Sequence, residues 1–190
     1  MTRKGRRLDS SKAVAVRLLG AALALACALP AVAEREARVG LPNRGVLLIK
    51  LPDGWREQVA RPDPASPPAI LVTPENGNAF KMLLQPNWPK DEKGKLPDAA
   101  AIREVLSAGS KAAAAVAVEK TISIQDLSAP MVAGSYYSIT DRAPEPGDYK
   151  HISQGMVRVG NIVVAFQVLN NGDPKVLEAA LKLIRSLRHV

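Results

Sequence analysis

Residues Tyr149 to Leu169 read YKHISQGMVRVGNIVVAFQVL, two runs rich in β-branched residues on either side of Gly160-Asn161. A glycine-first, two-residue turn between such runs is the signature of a type II′ hairpin, and the turn then fixes the register. The expected partners on one face are Val159 with Ile162, Val157 with Val164 and Gly155 with Phe166. Met156 with Ala165 and Ile152 with Leu169 fall on the other face. Apolar pairs on both faces predict a strand pair with cover on each side.

The chain on the C-terminal side supplies one such cover. Asp173 is an expected N-cap with Pro174 at the first helical position, where a missing N–H costs nothing. Leu177, Ala180, Leu181, Ile184 and Leu187 form an apolar stripe opposite Lys175, Glu178, Lys182, Arg185 and Arg188. Arg185, Arg188 and His189 then complement the negative end of the helix dipole.

On the N-terminal side, short apolar runs at Val46–Leu51, Trp55–Ala60, Ala69–Thr73 and Ala79–Gln85 are separated by turn residues, with Asn76-Gly77 as a hairpin signal. Asp98 opens an alanine-rich helix reaching about Ala117, and strands resume at Thr121–Leu127 and Gly134–Asp141. The order of strands, helix, strands and helix predicts an α+β fold, an antiparallel sheet with helices packed on it. This single domain runs from residue 45 to 190, and the charged stretch 34–44, with Pro42, reads as a mobile arm.

At 190 residues, 47% hydrophobic and 23% charged, the chain has the size and composition of one globular domain preceded by a targeting segment. Arg3, Lys4, Arg6, Arg7, Lys12 and Arg17 precede an apolar stretch from Leu18 to Leu29 and the triplet Ala31-Val32-Ala33. That order is the secretory signal pattern, and it predicts cleavage of residues 1–33 between Ala33 and Glu34 and a periplasmic or secreted destination. The apolar stretch is too short to span a bilayer, and no second one follows. A lipid anchor at Cys27 is the lesser reading, because Ala24 stands where a lipoprotein box carries leucine.

Most of the formal charge of +8 lies in the leader. The remainder has no basic stripe, which argues against nucleic acid as a partner. The lone cysteine, itself in the leader, excludes a disulfide framework and a multi-thiolate metal site.

Three local features resemble the PsbP-like superfamily in its bacterial exported members. They are Leu51-Pro52-Asp53-Gly54-Trp55 after an early apolar strand, Gly134-x-x-Tyr137 in a later one, and a C-terminal helix ending Ile184-Arg185-Ser186-Leu187. The resemblance implies an α/β/α sandwich around an antiparallel sheet. It also implies an accessory or binding role over an enzymatic one, since PsbP itself is an extrinsic photosystem II subunit and relatives act as binding modules.

Motifs for chemistry are sparse. There is no phosphate loop, no His-Glu-x-x-His and no Gly-x-Ser-x-Gly elbow, so no cofactor, no metal and no catalytic residue is assigned. His151, with Ser153 two residues along the same strand face and Asp141 or Asp148 nearby, is the one constellation resembling a triad. Trp88 lies in a polar loop with Lys90, Lys93 and Lys95, where an aromatic among cations suits a partner protein or an anionic group. A Trp in that position equally suits plugging a sheet edge. The leading expectation is a non-enzymatic envelope protein that binds an unidentified partner protein. The alternatives are a small-ligand or lipid carrier and a hydrolase using His151.

Overall fold

The computed structural model describes residues 34–89 and 94–190, so the expected leader, its Ala33 cleavage position and Cys27 lie outside the described residues. Among the described residues, ten strands form two antiparallel sheets, with two short helices beside them. In the smaller sheet β1 (Glu34–Leu41) pairs with β2 (Gly45–Pro52), which also pairs with β10 (Arg188–His189). The larger sheet has seven strands in the order β3 (Trp55–Ala60), β4 (Ala69–Pro74), β5 (Phe80–Asn87), β9 (Ile162–Asn170), β8 (His151–Val159), β7 (Val132–Thr140) and β6 (Gln125–Ala129). Helix α1 spans Ala99–Ala113 and α2 spans Pro174–Arg185.

The hairpin read first lies inside the larger sheet, and its register is the expected one: Val159 faces Ile162, Val157 faces Val164, Gly155 faces Phe166 and Met156 faces Ala165. Gly160 has φ +56°, whereas Asn161 does not take positive φ, as a type II′ turn requires. The β4–β5 connection differs from expectation. Only Gly77 there has positive φ, at +75°, within a longer loop.

The α/β/α sandwich does not hold. The protein is mostly β, and what faces the large sheet's inner side is the second sheet together with α2. Leu47, Ile49 and Leu51 of β2, Ala37, Val39 and Leu41 of β1, and Ala180, Leu181, Leu183 and Ile184 of α2 pack there against Ile70, Val72, Met82, Leu84, Val157, Val164 and Val168. On the opposite face α1 covers only β7 and β8, setting Ile102 and Leu106 against Tyr137 and Ile139, with Ile152 and Met156 at the margin. Tyr136 and Tyr137 point to opposite faces as their spacing demands, yet both are buried, because each face has its own cover at that place.

Residues 34–44 are not a mobile arm. Glu34–Leu41 pairs along its whole length with β2, burying Ala37, Val39 and Leu41 on alternate positions. The charges that disguised it hold it at the edge: Glu34 pairs with Lys182 at 2.7 Å, Glu36 with Arg188 at 2.7 Å, and Arg35 with Glu57 of β3. Arg61 adds a 2.7 Å bond from its Nη2 to the Gly40 carbonyl, so side chains link β1 to the β3 region of the other sheet.

Both N-caps appear as expected. Asp98 accepts from the Ala101 N–H and Asp173 from the Lys175 N–H, each at 2.9 Å. His189 is not a helix cap, since α2 closes at Ser186 and the chain re-enters a strand. Its Nε2 donates to the Arg44 carbonyl, and its Nδ1 accepts from the Asn161 N–H at 3.3 Å. No helix among the described residues is long and apolar enough to cross a membrane.

Gly155 sits where a Cβ would collide with the Phe166 ring and with the Cβ of Tyr136. Gly155→Ala is therefore expected to cost about 1–3 kcal/mol of stability by overpacking. Urea denaturation should show a lowered midpoint at an unchanged slope.

Candidate functional site

The loop singled out in the sequence is not assembled into a site by the described residues. Trp88 is half-buried and packs against the main core, as does Trp55, which stacks on Phe80 with ring centroids 4.2 Å apart. Arg44 donates to the Pro89 carbonyl at 3.2 Å beside it. Trp88 thus plugs the core margin, Lys95 is exposed, and Lys90 and Lys93 lie outside the described residues.

His151 occupies the polar end of the large sheet's inner face. Strand pairing places Phe80, Asn170, His151 and Thr140 in one cross-sheet row, with Met82, Val168, Ser153 and Ser138 in the next. A cavity of about 270 Å³ opens here between these strands and the start of α2, lined by Glu119, Thr140, His151, Ser153, Asn170 and Leu177 among others. Ser153 is buried and shares a 2.7 Å hydrogen bond with Ser138 rather than with His151. The nearest hydroxyl to the imidazole is Thr140 Oγ1, 3.4 Å from Nδ1, which is long for a hydrogen bond.

Neither Asp141 nor Asp148 is hydrogen-bonded to the imidazole; Asp141 instead accepts from the Ala143 N–H. The carboxylate that reaches this cluster is Glu119, which accepts from the Thr140 N–H at 2.9 Å and its Oγ1 at 2.7 Å. Burial acts to raise the Glu119 carboxyl pKa. The two Thr140 donors, the Glu119 backbone N–H and a smaller electrostatic contribution from His151 together outweigh it, and the net effect holds Glu119 below the usual glutamate range. Glu119 was missed in the sequence because it lies in an irregular stretch. The Ala117–Asp141 bridge, just past the end of β7, and the bond from the Val118 N–H to the Thr140 carbonyl bring it there.

A groove lies on the other side of that stretch. A space of about 720 Å³ runs between α1 and the segment Lys120–Ile124, lined by Arg103, Glu104, Ser107, Ser110, Lys111, Lys120, Ile122 and Ile124 with small neighbours. The chain bends at Lys120 and Thr121; beyond the bends Ile122 and Ile124 are half-buried against the α1 cluster, while Ser123 between them is exposed. The segment leads directly into β6, whose only strand partner is β7. Among the described residues, no backbone N–H or C=O from Lys120 to Ser123 has a hydrogen-bond partner in the protein. Arg103 fastens the far end, bonding the Ile124 carbonyl at 3.3 Å and the Asp126 carboxylate. This arrangement can accept an added strand.

No family model matches the chain, and no curated protein matches it.

The lowered Glu119 pKa has a definite pH signature. A carboxyl whose folded pKa lies below its unfolded value contributes stability that is fully present above the unfolded value and is lost as pH falls through the folded one. Glu119→Gln should therefore lower Tm near neutral pH. It should also lessen the fall in Tm between about pH 6 and about pH 3 relative to the wild type. Parallel curves for the two proteins would show that Glu119 carries no net stabilising interaction.

Proposed function

We propose that this protein is an exported, non-enzymatic binding module of the cell envelope, acting as an accessory to another protein by holding an extended segment of it. One observation carries the reading: a segment whose backbone from Lys120 to Ser123 has no hydrogen-bond partner among the described residues lines a groove of about 720 Å³ against a helix. Extended peptides dock in such places by main-chain hydrogen bonds, with side-chain pockets adding selectivity. A lipid carrier requires an apolar chamber, whereas this groove carries Arg103, Glu104, Lys111 and Lys120 on its lining. The short motifs at Leu51–Trp55, Gly134–Tyr137 and Ile184–Leu187, which resemble those of PsbP-like proteins, are in keeping with an accessory role.

Ser107 lines the groove from α1 and is half-exposed, so Ser107→Trp fills the groove without entering the core. Peptides selected from a random display library against the exported protein should lose about tenfold or more in affinity for this variant, while its Tm stays close to wild type. Selected peptides that bind both proteins equally would place the binding surface elsewhere. A library that yields no binder would remove the reading.

A further inference from the structure

We infer that the groove takes an extended acidic segment, which adds as a strand to Ile122–Ile124 and sets its carboxylates against Lys111 and Lys120; this rests on the groove reading above. The groove has a direction. The bond from Arg103 to the Ile124 carbonyl places Ile124 beside the N-terminal half of α1. The chain leaves that helix after Ala113 and turns through Ala114–Val116, so Lys120 comes back at the C-terminal half, where Lys111 stands. The segment and the helix thus run antiparallel, with both lysines at one end of the groove and Glu104 about 10 Å away along the helix, two turns back.

The charges at the lysine end are free to act on a ligand. Lys111 and Lys120 are exposed, and among the described residues neither has a carboxylate partner. The adjacent Glu119 does not neutralise them, because its carboxylate is held by Thr140 and lines the separate cavity at His151. Arg103, the third cation of the groove, is already engaged by Asp126. The unpaired backbone and the unpaired lysines therefore call independently for one occupant: a chain in β conformation with acidic side chains at one end. The chain bends at Lys120 and Thr121, so the part open to strand pairing is Ile122–Ile124, about 10 Å long at strand spacing.

The test uses fluorescence anisotropy with two labelled octapeptides, alternating Thr-Glu and alternating Thr-Lys, titrated with the exported protein. The acidic peptide is expected to bind about tenfold more tightly at low ionic strength, and the preference should shrink as salt is added. Lys111→Glu combined with Lys120→Glu should reverse the preference while lowering Tm by only a few degrees, since both side chains are exposed and Lys111 adds only a helix-end charge interaction. An acidic peptide N-methylated on every backbone nitrogen should lose binding, because alternate N–H groups point to opposite strand edges and both edges are then blocked. Equal binding of the two peptides, with Ser107→Trp still abolishing both, would overturn the acidic preference and leave the groove standing. Undiminished binding of the N-methylated peptide would overturn strand addition. Failure of every peptide to bind would overturn the inference, and with display selection also yielding no binder the groove reading falls as well.

Discussion

The pairing of β8 with β9 sets the two-sided character of the large sheet. Both strands lie inside it, so each of their side chains faces either the second sheet with α2 or the side occupied by α1. A slip of one residue would exchange the two sets, turning Val157, Val164 and Val168 outward and Gln154 and Gln167 inward. The Gly160 turn fixes this register locally. Gly155 is demanded by it from a distance, because the inner row leaves no room for a Cβ between Phe166 and Tyr136.

That register also organises polarity. Along the inner face the rows change from valine and leucine near the Gly160 turn to Ser138, Ser153, Thr140, His151 and Asn170 at the opposite end. Buried polar groups are costly unless bonded, and here they are bonded: Ser153 to Ser138, Asn170 to the Gly172 N–H, and Thr140 to Glu119. Glu119 thereby anchors the start of the stretch that becomes the groove wall. The polar end of the core and the groove are two sides of one irregular segment between α1 and β6.

Much of the fold was legible because it is written in local rules. Strand period, turn glycines and capping aspartates are short-range signals, and they located the hairpin, both helix starts and most strands at nearly their observed positions. β1 was hidden because Glu34, Arg35, Glu36 and Arg38 give it a loop-like composition, although every second residue from Ala37 to Leu41 is buried. The layer order was misread for a related reason. Apolar strands such as β1 and β2 look alike whether they extend one sheet or fold over it as another, and the helices were credited with cover that the second sheet supplies.

The candidate site divides along the same line. The sequence alone determined the hairpin register, the two capped helices and the basic, apolar leader pattern, since each depends on residues close together in the chain. It also marked His151 and Trp88 as residues to examine. Only the tertiary structure decided that Trp88 closes the core margin, that Glu119 rather than Asp141 or Asp148 reaches the cluster around His151, and that Lys111 and Lys120 share one end of a groove. Those relations join residues from separate elements, and they exist because α1 covers only β7 and β8 on one sheet face while the segment after it runs back along the helix, unpaired among the described residues.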